Sequence, residues 1–226
     1  MTMRLPSGAK LRVVGDVHGD SAGFAAACAT ERFIVQLGDL VDDGPDTPGA
    51  LHLMFGLLDA GRGLFLLGNH DYKLARALRG DSVQVGEALA ATIASLDPAT
   101  AARAVEEIGR APAWLVAGRV VFVHGGFDPA MLFIPPRTMA DKRDRLLARA
   151  LYGQTTGRVT GMGKPERVLD WVHRIPEGVT VYCGHDQRST NGQPLTLEGR
   201  AGGRAIMMDT GAGKGGHLSW LDIDLP

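Results

Sequence analysis

The chain has 226 residues, 45% apolar and 22% charged, with 24 Lys and Arg against 25 Asp and Glu. That profile excludes a disordered or fibrous chain, and a formal net charge of -1 offers no strong signal for nucleic-acid binding. No apolar run approaches the ~18 residues of a membrane span. Two cysteines, Cys28 and Cys183, are too few for a disulfide framework, so the expected setting is the reducing cytoplasm.

In chain order, short apolar runs end repeatedly in glycine beside a polar residue. Leu11–Val14 leads to Gly15-Asp16, Phe33–Leu37 to Gly38-Asp39, and Leu64–Leu67 to Gly68-Asn69. Val120–Val123 leads to His124-Gly125, and Val179–Cys183 to Gly184-His185. Near-continuous apolar runs of this length read as strands buried on both faces. Ala205–Met208 and Leu218–Leu221 read as two more, and the spacing predicts a hairpin between them around Gly211–Gly216. That glycine-rich turn is not a nucleotide loop, because Lys214 has no Ser or Thr after it and a strand follows.

Helices are expected at Ser21–Thr30 and at Thr47–Leu58, where Pro48 suits a first turn. The connection from about 72 to 112 has helical spacing at Val85, Leu89, Ile93 and Leu96, then Val105 and Ile108, and reads as a helical insertion over the sheet. Further helices are expected at Met139–Leu151, with Lys142, Arg143, Arg145 and Arg149 as a solvated face, and at Pro165–Ile175. Without a repeat or a low-complexity linker, residues 1–226 are expected to form a single domain. His52, His173 and His217 read as ordinary surface or core histidines, and Trp114, Trp171 and Trp220 as packing residues. Cys28 and Cys183 read as small core residues.

The polar residues at the strand ends form one chemical set: Asp16, His18, Asp39, Asn69, His70, His124 and His185. Ligands bind at the carboxyl ends of strands in layered α/β sheets, so residues scattered along the chain converge there. Carboxylates, imidazoles and an amide suit Mn, Fe, Zn or Ni. The set exceeds what one tetrahedral ion uses, which points to two metals.

Gly15-Asp16-Val17-His18-Gly19, the run Gly38 to Gly44, Gly68-Asn69-His70-Asp71, His124-Gly125-Gly126 and Gly184-His185 resemble, in order, the motifs of calcineurin-like metallophosphoesterases. The nearest branch is the bacterial serine/threonine phosphoprotein-phosphatase type. The resemblance implies an α/β/β/α four-layer sandwich with two divalent ions, Mn first. It implies Asp16 and His18 on one ion, Asp39 bridging, and Asn69, His124 and His185 on the other. His70, oriented by Asp42, would protonate the leaving oxygen after direct attack by a metal-bridging hydroxide. The implied activity is a phosphomonoesterase acting on a phosphoprotein or other phosphoester. The alternatives are a symmetrical dinucleoside polyphosphate hydrolase or a nucleic-acid end phosphatase, and then a non-catalytic metal or phosphate binder.

One position departs from the pattern: Asp43 stands where the family usually has an arginine that grips phosphate. A carboxylate there repels a phosphate dianion. Lys73, Arg76 and Arg188 are the candidate replacements, or else the substrate is a diester or polyphosphate bridge with less charge at that point.

Overall fold

The computed structural model describes residues 5, 8–141, 144–161, 163 and 165–225. Its first sheet holds β1 (Lys10–Val14), β2 (Phe33–Gln36) and β3 (Gly63–Phe65) in parallel, with β11 (Trp220–Asp224) antiparallel on the outer side of β1. The second is ordered β4 (Trp114–Ala117), β5 (Val120–Val123), β8 (Thr180–Cys183), β10 (Arg204–Met207), β9 (Leu195–Glu198). Its three inner strands run parallel and its two edge strands antiparallel.

Side-chain alternation assigns the layers. Leu11, Val13, Val35 and Leu64 of the first sheet pack against Leu115, Phe122, Tyr182 and Ile206 of the second, making an inter-sheet core. Phe122 and Tyr182 stack at 5.7 Å between ring centroids. Truncating the fully buried Phe122 to alanine would cost about 3–5 kcal/mol. Val14 and Ile34 face outward into a second core with Phe24, Ala27, Leu51 and Met54. Those side chains come from α1 (Ser21–Cys28) and α2 (Thr47–Asp59). Val121, Val123, Val181 and Met207 face outward from the other sheet, in a core shared with Trp171 and with Leu147 and Leu151 of α6 (Arg145–Tyr152). The result is the expected α/β/β/α sandwich, with every parallel strand pointing its carboxyl end the same way within its sheet.

The insertion is helical as expected: α3 (Asn69–Leu78), α4 (Glu87–Ser95) and α5 (Pro98–Arg110). It docks on α2 rather than directly over the strands. His52 Nε2 lies 2.9 Å from Thr100 Oγ1, and Arg103 stacks over Phe55 at 4.5 Å and bonds Asp59.

Three expectations fail. The last two strands form no hairpin: β10 pairs with β8 and β9, β11 pairs with β1, and Gly211–Gly216 crosses between the sheets. Pro165–Ile175 is not a helix. Pro165–Val168 is strand β7, paired with β6 (Gln154–Val159) in an exposed ribbon, and Asp170–Arg174 is a 3-10 turn. Tertiary pairing with β6 overrides the helical spacing. The helix expected from Met139 begins at Arg145, because Asp144 Oδ1 accepts from Leu147 N and caps it there, while Thr138 and Asp141 close a separate turn. Lys142 and Arg143 lie outside the described residues.

Candidate metal centre

The carboxyl ends of β1, β2, β5 and β8, with the N-terminus of α3, bring Asp16, His18, Asp39, Asn69, His70, His124 and His185 together. Among the described residues, the non-glycine residues with positive φ are His18, Asp39, Asp42, Asp43 and His185. His18, Asp39 and His185 belong to this cluster, and Asp42 and Asp43 touch it through His70 and His18. Left-handed backbone costs about 1–3 kcal/mol at each non-glycine residue. Strain concentrated in one place marks a geometry that the surrounding fold imposes.

Close packing imposes it. A Cβ on Gly184 would overlap Asp16 Oδ1, and one on Gly38 would come within 2.7 Å of Gly68 Cα. The His185 N–H donates to both Asp16 oxygens, at 3.2 and 3.0 Å, tying one sheet to the other. Gln36, fully buried at the end of β2, donates to the Gly15 and Gly38 carbonyls and accepts from Gly38 N. Asp71 Oδ2 accepts from Asp39 N at 2.7 Å and from Gly68 N, while Oδ1 accepts from Leu40 N. Gln36 and Asp71 thus hold three loops in register, a role the sequence reading did not assign them. A lone polar residue inside an apolar strand was the available signal for Gln36.

His18, His124 and His70 are each oriented through Nδ1. His18 Nδ1 lies 3.0 Å from the Val41 carbonyl, and His124 Nδ1 lies 3.0 Å from the Leu37 carbonyl. A carbonyl only accepts, so both Nδ1 atoms carry hydrogen and both Nε2 atoms face inward. His124 Nε2 lies 3.0 Å from Asn69 Oδ1 and 3.3 Å from Asp39 Oδ2. His185 Nε2 is buried with no hydrogen-bond partner among the described residues. His70 Nδ1 lies 2.7 Å from Asp42 Oδ2, and its N–H donates from the backbone to Asp39 Oδ1.

The protonation pattern follows from burial and charge. Burial opposes the His70 cation, but the Asp39 charge and the Asp42 hydrogen bond prevail and hold its pKa up at about 9. His124 is held at about 9 in the same way, burial being outweighed chiefly by Asp39. Burial pushes Asp16 well above the carboxylate range, with the charge of Asp209 adding to it. Burial also works against the Asp39 charge, yet His124 and His70 draw it well below that range. Burial lowers His18 and His185, which leaves neutral imidazoles with lone pairs.

These residues fit a pair of divalent ions. Donor atoms of Asp39, His124 and His185 lie within 4.8 Å of one another, as do those of His18, Asp39 and His70. The two groups share Asp39. Asp16 Oδ2 stands 3.9 Å from His18 Nε2. His70 is the member already committed elsewhere, through Asp42. Asp16, Asp39, Asp42, Asp71 and Asp209 are each at most 2% exposed, a concentration of buried carboxylate that calls for cations. The partnerless His185 Nε2 makes the same demand.

A cleft of about 650 Å³ opens over the cluster, lined among others by Asp43, His70, Arg167, His185, Asp209 and Lys214. Lys214 comes from the crossing segment that the sequence reading set aside as a turn. Its Nζ lies 2.8 Å from His18 Nε2 and 3.3 Å from Asp43 Oδ2. Arg167, on β7, bonds Asp186 Oδ1 at 2.9 Å. Of the cations named from sequence, Lys73 lines an adjoining cavity, Arg188 pairs with Asp186 beside the cleft, and Arg76 lines neither cavity. Arg76 is engaged by Asp81 and the Ser82 carbonyl.

The calcineurin-like phosphoesterase family model matches residues 9–189. The chain belongs to that family. Phosphoesterases of this family use a binuclear divalent metal centre, and the cluster above is where this member carries the fitting donors. Among the relatives, a protein of Oceanobacillus iheyensis named bis(5'-nucleosyl)-tetraphosphatase PrpE [asymmetrical] is 27% identical over 93% of this chain and 87% of its own length. One of the same name from Bacillus subtilis is 29% identical over 83% of this chain and 74% of its own. A solved structure described as a putative diadenosine tetraphosphatase superposes with TM-score 0.65 at 22% identity, covering 100% of this chain and 96% of the other. A Saccharomyces cerevisiae serine/threonine phosphatase with similarity to human PP5 gives TM-score 0.60 at 15% identity, over 97% of this chain and 81% of the other, a likeness of fold alone. These comparisons back the dinucleoside polyphosphate alternative better than the phosphomonoesterase expectation, and the cleavage in the relatives' name is asymmetrical rather than symmetrical. No helix among the described residues is long and apolar enough to cross a membrane.

Proposed function

We propose that this phosphoesterase hydrolyses dinucleoside tetraphosphates asymmetrically, to a nucleoside triphosphate and a nucleoside monophosphate, in the cytoplasm. The observation that carries the reading is the run of bis(5'-nucleosyl)-tetraphosphatases matching nearly the whole chain. The geometry supports it through Asp43. A bridging phosphate in a polyphosphate carries one charge where a terminal monoester carries nearly two, so a carboxylate at the rim of the cleft opposes it less.

Asp16, His18, Asp39, Asn69, His124 and His185 would hold two ions, with Mn the first choice, and Asp39 common to both. Bound there, the ions supply a water of lowered pKa and neutralise charge on the phosphate oxygens. Lys214 and Arg167, which both line the cleft, would meet phosphate oxygens there. Water would give up a proton to solvent as its oxygen joins the nucleoside-linked phosphorus and the bridging P–O bond breaks. The electron pair goes to the departing triphosphate oxygen. Asp42, 2.7 Å from Nδ1, would orient His70 so that its Nε2 can deliver a proton to a leaving oxygen that needs one. Purified Mn-loaded protein, given a dinucleoside tetraphosphate, a monoester and a diester, should yield triphosphate and monophosphate in equal amounts from the first at the highest kcat/KM. Two molecules of diphosphate, or faster turnover of the monoester, would overturn the proposal.

A further inference from the structure

A second cavity of about 800 Å³ opens directly beside the metal-centre cleft and shares Asn69, Pro165, Arg167 and His185 with it. Its size falls in the range of ligand pockets. Its charge is one-sided: Lys73, Arg145, Arg149 and Arg167 line it, and no carboxylate does among the described residues. Arg167 and Arg145 are paired behind the lining, with Asp186 and Asp128, which leaves Lys73 and Arg149 as the cavity's cations without an ion pair among the described residues.

The cations come from three elements. Lys73 stands one helical turn beyond Asn69 on α3, Arg145 and Arg149 stand one turn apart on α6, and Arg167 projects from the exposed ribbon. Arg149 is the informative member. Its Nη1 is buried and meets no hydrogen-bond partner among the described residues, although a guanidinium in such a place normally finds an acceptor. Its Cδ runs alongside Gly126, where an added Cβ would stand 3.4 Å from it. Arg145 is loosely held, 3.5 Å from Asp128, with its side chain 76% exposed. The sequence expectation of a solvated basic face therefore fails at Arg149, which turns into the cavity.

Building on the proposed tetraphosphatase activity, we infer that this cavity binds the triphosphate portion of the substrate on the leaving side of the scissile bond. Lys73 and Arg145 would meet its outer phosphates, and Arg149 would add positive charge from the wall. The donors stabilise the negative charge that develops when the bridging bond breaks. The same arrangement explains asymmetry. A chain of three phosphates seated beyond Asn69 and His185 leaves the nucleoside-linked phosphorus over the metal centre. A substrate centred there would instead be cut into halves.

The test uses the Mn-loaded full chain at fixed free metal, with Arg149→Gln and the exposed Arg145→Glu. Inorganic tripolyphosphate should inhibit monoester hydrolysis at least tenfold more strongly than orthophosphate and should raise the thermal midpoint. Both variants should lower the ratio of kcat/KM for tetraphosphate over monoester by about tenfold or more, as expected for a lost charge-assisted contact. Tripolyphosphate should no longer shift their midpoints. If tripolyphosphate acts no better than orthophosphate, or the variants keep the wild-type ratio, the inference is overturned. Failure of the activity itself is separate: a protein that hydrolyses no tetraphosphate, yet is stabilised by tripolyphosphate through Arg149 and Arg145, loses the proposed function and keeps the anion cavity.

Discussion

The Lys214 ammonium stands 3.3 Å from the Asp43 carboxylate, so the acid at the position where the motif resemblance leads us to expect an arginine is itself the holder of a cation. The pair keeps a positive charge at the cleft but draws it from a segment remote in sequence. The carboxylate then tempers that charge, which suits an internal phosphate better than a dianionic terminus.

Removing either partner tests that exchange. Lys214→Ala should raise KM for dinucleoside tetraphosphate by about tenfold, the loss of one charge-assisted contact. Asp43→Arg alone should gain little, because the new guanidinium confronts Lys214. In the Lys214→Ala background, Asp43→Arg should restore much of the loss and shift preference toward monoesters. Steady-state kinetics of the three variants on both substrates check this, and additive effects would mean that the two residues act independently.

The His70–Asp42 pair sets a pH dependence. A histidine whose pKa is raised on folding adds stability that is complete below its unfolded value near 6.5. That stability is lost as pH rises through the folded value, here about 9 for His70 and for His124. Metal-free protein should therefore lose thermal stability between about pH 6.5 and 9. Asp71, raised to about 7 by burial and by Asp39, makes its own loss at lower pH, so the histidine step is read above neutrality. Asp42→Asn should lower the His70 midpoint measured by proton NMR and flatten the stability slope. An unchanged midpoint would detach Asp42 from His70.

The same pair predicts a leaving-group split. General acid catalysis typically contributes about 10²–10⁴-fold, but only when the departing oxygen needs a proton. A triphosphate departs as a stable anion; a simple alkoxide does not. His70→Ala should therefore depress hydrolysis of an alkyl phosphate far more than that of the tetraphosphate, with kcat rather than KM carrying the effect. Equal losses on both substrates would give His70 a positioning role instead.

What was readable in the chain divides along one line. The strand-end motifs carry their own local signal, an apolar run stopped by glycine and a polar residue, and the fold brings all seven of those side chains together. Lys214 was unreadable because its place depends on β11 leaving the second sheet to pair with β1, a long-range choice that Gly211–Gly216 does not encode. Arg149 looked like any solvated arginine until the close packing of Gly126 and Gly153 fixed α6 against the site. The helical spacing over Pro165–Ile175 misled because, of Val168, Leu169 and Val172, only Val168 lies on the strand, while Leu169 precedes the 3-10 turn and Val172 lies in it. Asp71 was visible within a motif, but its hydrogen bonds to Asp39 and Leu40 are not local.

Asp71 should therefore matter to the centre without touching its chemistry. Its two oxygens satisfy three backbone N–H groups from two loops. Each buried donor left without a partner costs about 1–3 kcal/mol. Asp71→Ala should destabilise the metal-free protein by at least one such increment and should weaken metal binding, because the Asp39 backbone is no longer fixed in its left-handed conformation. Asp71→Asn keeps one acceptor and should fall between. Chemical denaturation of the metal-free variants, compared with Mn titration, checks both effects. Loss of stability with undiminished metal affinity would reduce Asp71 to a structural cap of α3.

The final prediction concerns the ions themselves. Five nearly inaccessible carboxylates in one cluster repel one another unless cations intervene. Ion binding should thus stabilise the fold by mass action, about 2.7 kcal/mol at a hundredfold excess over Kd for one site. Asp39 belongs to both donor groups, whereas His185 belongs to one. Asp39→Asn should abolish the stabilisation and bring the metal content towards zero. His185→Ala should leave one ion per chain and about half the stabilisation, because the group built on His18 and Asp39 survives. Elemental analysis of the purified variants, with the rise in thermal midpoint on adding Mn, separates the two. Full occupancy in Asp39→Asn would remove the shared carboxylate from the centre and leave two unconnected sites.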